Sequence, residues 1–194
     1  DTAGSLARTS VEAGAAYGTN ESQRGNTINL EFVSANPTGP MHIGHTRWAA
    51  LGDAMGRVLA ASGATIVREF YINDAGVQMD RFGRSVLAAA KGEPTPEDGY
   101  PGSYIDDLAR RVLAEQPDLL DLPADDQLAV ARERAYALQL GDLQSSLVKF
   151  NVHFDVWFSE RTLHAKPADG GPSLVDEAVD RLRAQGHVFE ADGA

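Results

Sequence analysis

The chain has 194 residues, 43% of them hydrophobic, with 17 basic and 28 acidic side chains and a formal net charge of −11. That length buries one core, or one core plus an insertion, and the acidic balance excludes the broad electropositive surface on which nucleic-acid binding usually rests, so any contact with RNA is local or made elsewhere. The absence of cysteine excludes disulfides and thiolate metal sites and is compatible with a reducing cytosol, and no apolar run has the length of a membrane span or a secretory h-region.

Residues 1–24 are rich in Ala, Gly, Ser and Thr without sustained periodicity, which predicts a linker or cut edge and a folded region from Gly25 onward. From Thr27 to Val33, Ile28, Leu30 and Phe32 alternate with Asn29 and Glu31, the pattern of a strand. Ser34 to His45 contains Pro37, Gly39, Pro40 and Gly44 and must be a loop. Trp48, Leu51, Met55, Val58 and Leu59 then recur at helical spacing. Beside them Ala49, Gly52 and Gly56 make a small-residue stripe that lets the helix approach a sheet closely, and Gly63 is placed to end it. Thr65 to Ile72, dominated by β-branched and aromatic residues, is a second strand. The result is an α/β, Rossmann-like strand-helix-strand unit over residues 25–75.

Beyond Asn73 and Asp74, the latter read as a helix cap, residues 76–194 form a largely helical region. Helices are expected over 75–91, 103–116 and 125–150, the last burying Leu140, Leu143, Leu147 and Phe150. Ser103 with Asp106, and Ser173 with Asp176, have the spacing of N-terminal capping pairs, the second opening a helix over 173–185. Short strands are expected over 154–158 and 187–190.

The loop before the first long helix carries the chemistry. Helix amides at the carboxyl edge of a sheet, together with the helix dipole, favour an anion such as a phosphate. Gly39 and Gly44 permit close backbone approach, and Pro37 and Pro40 restrict the loop in advance. His42 and His45, three apart on the first turn, can project to one side as donors to phosphate oxygens. On these residues alone the alternative of a cap and a packing residue stays open. A zinc site would need a third ligand that the pattern does not supply.

His42-Ile-Gly-His45 is the HIGH signature of class I aminoacyl-tRNA synthetases, and the string from Glu31 to His45 resembles the form found in arginyl-tRNA synthetases. The resemblance continues through Arg68 to Gly76, Tyr100 to Tyr104 and Phe154 to Glu160, in the order of bacterial-type members. It implies the first half of a Rossmann catalytic domain over 25–75, its HIGH motif at 35–45, with a helical insertion over 76–194 that is incomplete at its end. The implied activity is ATP-dependent activation of L-arginine to arginyl-adenylate, then transfer to tRNA(Arg), in the cytoplasm. His42 and His45 take the catalytic roles at the phosphates. ATP is met by Asn36, Gly39, Pro40, His42, Gly44 and His45, with Mg2+ accompanying the nucleotide rather than sitting in a dedicated protein site. Arginine is met by Glu31 at its guanidinium and by Ser34 and Asn36 at its amino-acid end. Without the resemblance, Glu31 reads as an exposed strand charge and Ser34 and Asn36 as turn chemistry.

A second, lysine-bearing signature loop is expected in the other half of the fold, and most tRNA contacts in further domains. Lys91, Lys149 and Lys166 are the only lysines, none in a Lys-Met-Ser-Lys context, so the chain reads as a fragment inactive alone. Two alternatives stand beside this reading. One is an HxGH-type nucleotidyltransferase, which would have no use for Glu31, Ser34 and Asn36. The other is a non-catalytic nucleotide- or partner-binding module derived from a synthetase.

Overall fold

The computed structural model describes residues 2–189. Its helices and strands run in the order α1 (Thr2–Ala13), β1 (Thr27–Glu31), α2 (Ile43–Ala61), β2 (Thr65–Ile72), α3 (Val77–Lys91), α4 (Ser103–Glu115), α5 (Ala124–Lys149), β3 (Val156–Ser159), α6 (Arg161–His164) and α7 (Leu174–Ala184). The strands form one sheet in the order β1-β2-β3. β1 and β2 pair in parallel, Thr27 opposite Thr65 through Glu31 opposite Glu69. On the other side of β2, Asp155 donates its N–H to Arg68 O and Glu160 to Ile72 O, so β3 also runs parallel. The chain divides into two compact units: one holds residues up to Val33, His42–Phe70 and Leu147–Trp157, the other Ser34–Met41, Tyr71–Ser146 and the residues from Phe158 onward.

In the first unit the small-residue stripe of α2 faces the sheet. Ala49, Gly52 and Gly56 are buried, and a Cβ at Gly52 would stand 2.3 Å from ring carbons of Phe32. Only glycine lets the helix axis come this near. Phe154 packs on Phe32 and Phe70, with ring centroids 4.5 and 5.4 Å away, and Trp157 stacks on Phe70 at 4.6 Å. The wider stripe of α2, Trp48, Leu51, Met55 and Val58, points outward and is exposed. Gly63, at φ +94°, follows the end of α2 as expected.

The second unit is built on α3, α4 and α5. Met79, Phe82 and Val86 meet Ile105, Leu108 and Val112, with Leu119, Ala131 and Ala135 closing the core. Small alanines on α5 let it lie close, and a Cβ at Gly83 of α3 would meet Arg132 Cβ at 2.7 Å. The capping box of α7 forms as its spacing predicts: Ser173 Oγ accepts from the Asp176 N–H at 3.2 Å and the Asp176 carboxylate accepts from the Ser173 N–H at 3.0 Å.

Several expectations are corrected. Residues 2–13 form helix α1, which alanine propensity supports without a broad apolar stripe. Asn20 and Gln23 donate backbone N–H bonds to Ala61 O and Ser62 O, so ordered packing begins before Gly25. Gly102, at φ +131°, is the N-cap of α4, and Ser103 is its first helical residue, making no side-chain cap. Phe150 lies past the end of α5 and is exposed, while Leu143 and Leu147 are buried as predicted. Residues 187–189 form no strand, because the His187 N–H closes the end of α7 on Leu182 O; Glu190 falls outside the described residues.

Candidate functional site

The two signature histidines cap their own helix. His42 is the N-cap of α2, and its Nδ1 accepts from the Gly44 N–H at 3.1 Å. His45 Nδ1 in turn accepts from the His42 N–H at 3.3 Å. The rings stack, centroids 3.8 Å apart and planes 21° from parallel. An accepting Nδ1 carries no proton, so each neutral ring bears its hydrogen on Nε2 and presents a donor there. Partial burial, and secondarily the neighbouring His42, hold the His45 pKa below its ordinary value of 6.5. The pair is therefore a neutral double donor fixed in orientation before any ligand arrives.

Gly44 has a structural part as well. A Cβ there would stand 2.9 Å from the His42 ring, so the glycine makes room for the histidine. Its amide donates to His42 Nδ1. The sequence pointed to the histidines but not to their mutual capping, since His is an uncommon N-cap.

In the same unit Glu31 ends β1, exposed, directly opposite Glu69. Asn29 Nδ2 donates to Glu69 at 3.0 Å. Two carboxylates in register across adjacent strands are mutually unfavourable.

The stretch from Ser34 to Met41 belongs to the second unit. Ser34 stands at φ +45°, and Val33 before it at φ +68°, a strained region for a β-branched residue. Ser34 Oγ accepts from the Tyr71 N–H at 3.1 Å. Thr38 O accepts from the Tyr104 hydroxyl at 3.1 Å and Gly39 O from Gln139 Nε2 at 3.2 Å, so α4 and α5 hold the loop by its carbonyls. A Cβ on Gly39 would meet Tyr104 only at ordinary contact distance, 3.5 Å, and Pro40 is exposed. Asn36 is exposed and donates from Nδ2 to Gln78 Oε1 at 3.1 Å.

Asp74 is no helix cap; Gly76 holds that position on α3. It is a buried hub, 1% exposed. Its carboxylate accepts from the Tyr136 hydroxyl at 2.6 Å, Ser159 Oγ at 2.7 Å and the Arg161 N–H at 3.2 Å, while Arg161 Nε donates to Asp74 O at 2.9 Å. Arg161 also holds Glu133 through both guanidinium ends and lies 4.5 Å over the Tyr136 ring. Burial and the bond to Asp74 push the Tyr136 phenol up, keeping it a donor. Among the described residues no group of three or more His, Cys, Asp or Glu could hold a metal ion, and no helix is long and apolar enough to cross a membrane.

A parallel strand-helix-strand core, with a pair of histidines capping α2, is the Rossmann-like core of a class I synthetase catalytic domain. The family model described as tRNA synthetases class I (R), catalytic domain, matches residues 10–109, and the chain belongs to that arginyl-tRNA synthetase family. It is 57% identical over 192 residues to the arginine–tRNA ligase of Renibacterium salmoninarum and 54% identical over 192 residues to that of Kineococcus radiotolerans. Each comparison covers 99% of this chain and 34% of the relative, so the chain spans about a third of the curated relatives it matches. A solved structure from Campylobacter jejuni, assigned to the arginyl-tRNA synthetases, superposes with a TM-score of 0.79 at 28% identity, covering 97% of this chain and 41% of that one. Family membership sets aside the unrelated HxGH nucleotidyltransferases.

Proposed function

We propose that this chain supplies the HIGH-motif part of an arginine–tRNA ligase, which activates L-arginine with ATP and transfers it to tRNA(Arg) in the cytoplasm. The observation that carries the reading is the stacked, mutually capped His42–His45 pair, in which both Nδ1 atoms accept and each ring keeps its donor at Nε2. In the activation step the arginine carboxylate attacks the α-phosphorus and pyrophosphate leaves. The carboxylate is already ionised at neutral pH, so no base is required. The histidines act as donors to oxygens on which negative charge grows, a task for oriented neutral imidazoles. Mg2+ is proposed to arrive on the phosphates of ATP, its remaining ligands being water.

Asn36, Gly39 and Pro40 are proposed to border the nucleotide, with Gly44 acting through the His42 ring it accommodates. Glu31 is proposed to take the guanidinium, and Ser34 and Asn36 the amino-acid end. The region from residue 76 onward is proposed as an insertion within the catalytic domain, and tRNA contacts as largely the work of other parts of a full-length ligase.

The test separates capping from catalysis. Asn is a strong N-cap and Gln completes a capping box at the third helical position, so His42→Asn and His45→Gln keep α2 capped while removing the imidazoles. In the full-length ligase carrying this sequence, arginine-dependent ATP–pyrophosphate exchange with tRNA(Arg) present is expected to fall by roughly one to three orders of magnitude in each variant. Wild-type exchange in both would remove the histidines from the chemistry.

A further inference from the structure

Gln78, on the first turn of α3, is bound on both edges of its amide. Its Nε2 donates to Asn73 O at 3.1 Å, Asn73 Oδ1 at 2.6 Å and Ala75 O at 3.2 Å. The two backbone carbonyls can only accept, so the edge that faces them must be the NH2 group. The other edge is then Oε1, and it lies 3.1 Å from the Asn36 amide. Oε1 cannot donate. Asn36 must therefore turn Nδ2 toward Gln78, which leaves Oδ1 on the opposite edge of the amide of an exposed side chain.

The carbonyls that set this polarity are themselves fixed. They flank Asp74, whose buried carboxylate is held by Tyr136, Ser159 and Arg161. Asn36 lies between buried Ala35 and buried Pro37, and the following proline restricts its backbone to extended conformations. The main freedom left to the residue is rotation of its amide, and Gln78 removes it.

We propose that Gln78 is a positioning residue that sets the polarity of Asn36, so that Asn36 Oδ1 stands ready as an acceptor for the α-ammonium group of the amino-acid substrate. The inference rests on the reading of Asn36 as a contact for the amino-acid end of arginine. A flipped Asn36 would present N–H to an ammonium group, replacing a charge-assisted bond with a repulsion. Gln78 touches no substrate; it acts through Asn36, with Asp74 and its partners as the foundation.

The experiment uses the full-length ligase carrying this sequence, with arginine-dependent exchange as the assay and 5-guanidinopentanoate, arginine without its α-amino group, as a competitive inhibitor. Gln78→Met frees the Asn36 amide. It is expected to raise the KM for arginine by about five- to tenfold, leaving kcat and the KM for ATP within about twofold. The inhibition constant of 5-guanidinopentanoate, which has no ammonium to lose, should stay unchanged. Gln78→Glu keeps an acceptor for Asn36 Nδ2 but sets a carboxylate oxygen against the oxygens of Asn73 and Ala75, so its arginine KM should fall between those of the wild type and Gln78→Met. Asn36→Ala leaves Gln78 and its loop in place and should raise the arginine KM at least as far as Gln78→Met does while sparing the inhibition constant of 5-guanidinopentanoate, the double variant being no worse for arginine than Asn36→Ala alone.

Parallel weakening of arginine and 5-guanidinopentanoate would overturn the proposal, as would Gln78→Glu impaired as deeply as Gln78→Met, because both are signs of a merely structural loop anchor. Should Gln78→Met fail to fold, the Gln78→Glu and Asn36→Ala arms decide the question by themselves. Normal wild-type exchange with an unchanged arginine KM in the variants overturns this inference alone. A wild-type ligase showing no arginine-dependent exchange overturns the functional reading and this inference together.

Discussion

His45 shows how a single residue's environment sets its chemistry. Partial burial and the adjacent His42 ring hold its pKa below 6.5, so the folded chain binds a proton there less readily than the unfolded chain. The stability that follows from keeping the ring neutral is present above the ordinary value and is lost as the pH falls through the lowered one. Protonating His45 Nδ1 would also break the bond it accepts from the His42 N–H, so the ring is expected to stay neutral when phosphates arrive and to donate from Nε2. ATP binding by the full-length ligase at pH 7 is therefore expected to take up no proton at His45. Calorimetry in two buffers of different ionisation enthalpy checks this, and proton uptake that disappears in His45→Gln would show that the ring meets the phosphates as imidazolium instead. At this scale the sequence marked the histidines and hid Asp74. A signature is a local string, whereas the partners of Asp74 are 62 to 87 residues away along the chain.

At the scale of elements, α2 depends on a contact in which nothing larger than glycine fits. Gly52→Ala would drive a methyl group to 2.3 Å from the Phe32 ring carbons, so helix and strand must part. Overpacking of this kind costs about 1–3 kcal/mol, and a clash this deep belongs at the upper end. Phe32→Leu alone opens a smaller loss by removing ring volume. In the double variant the leucine leaves room for the new methyl, so the costs should fall short of their sum by about 1 kcal/mol or more. Denaturant melts of the two single variants and the double variant test this, and simple additivity would show that the residues do not oppose each other. Most elements were legible because period and length speak plainly in α2, α3, α5 and β2. Helix α1 was not, as its apolar residues form no stripe: Leu6 and Val11 are both exposed. The outward turn of Trp48, Leu51, Met55 and Val58 was equally hidden, because periodicity shows that a helix has two faces without saying which one meets the sheet.

For the molecule as a whole, the polar hub at Asp74 is where the second unit is most exposed to damage. Asp74→Asn keeps the shape and replaces one accepting oxygen by a donor aimed at hydroxyl and N–H groups. A loss of roughly 3 kcal/mol is expected, the scale for breaking a buried, hydrogen-bonded charge. Tyr136→Phe removes one donor and should cost less, about 1–3 kcal/mol. Chemical denaturation measures both, and Asp74→Asn as stable as the wild type would mean that the hub does not hold the fold. Because the chain spans about a third of its relatives and has no Lys-Met-Ser-Lys stretch, residues 1–194 alone are expected to transfer no arginine to tRNA. Labelled arginine in an aminoacylation assay checks this, and robust charging would show that the HIGH-motif part suffices. The sequence by itself determined the α/β class, the main helices and strands from Thr27 to Lys149, the family and the place of the HIGH loop, because each is written in short-range pattern: period two, period 3.6, and a contiguous motif. Only the tertiary structure decided that Asp74 is a hub, that Gly44 serves His42, and that Gln78 turns Asn36. Those facts depend on which distant groups meet in three dimensions and which edge of an amide each partner leaves available, and no local pattern encodes either.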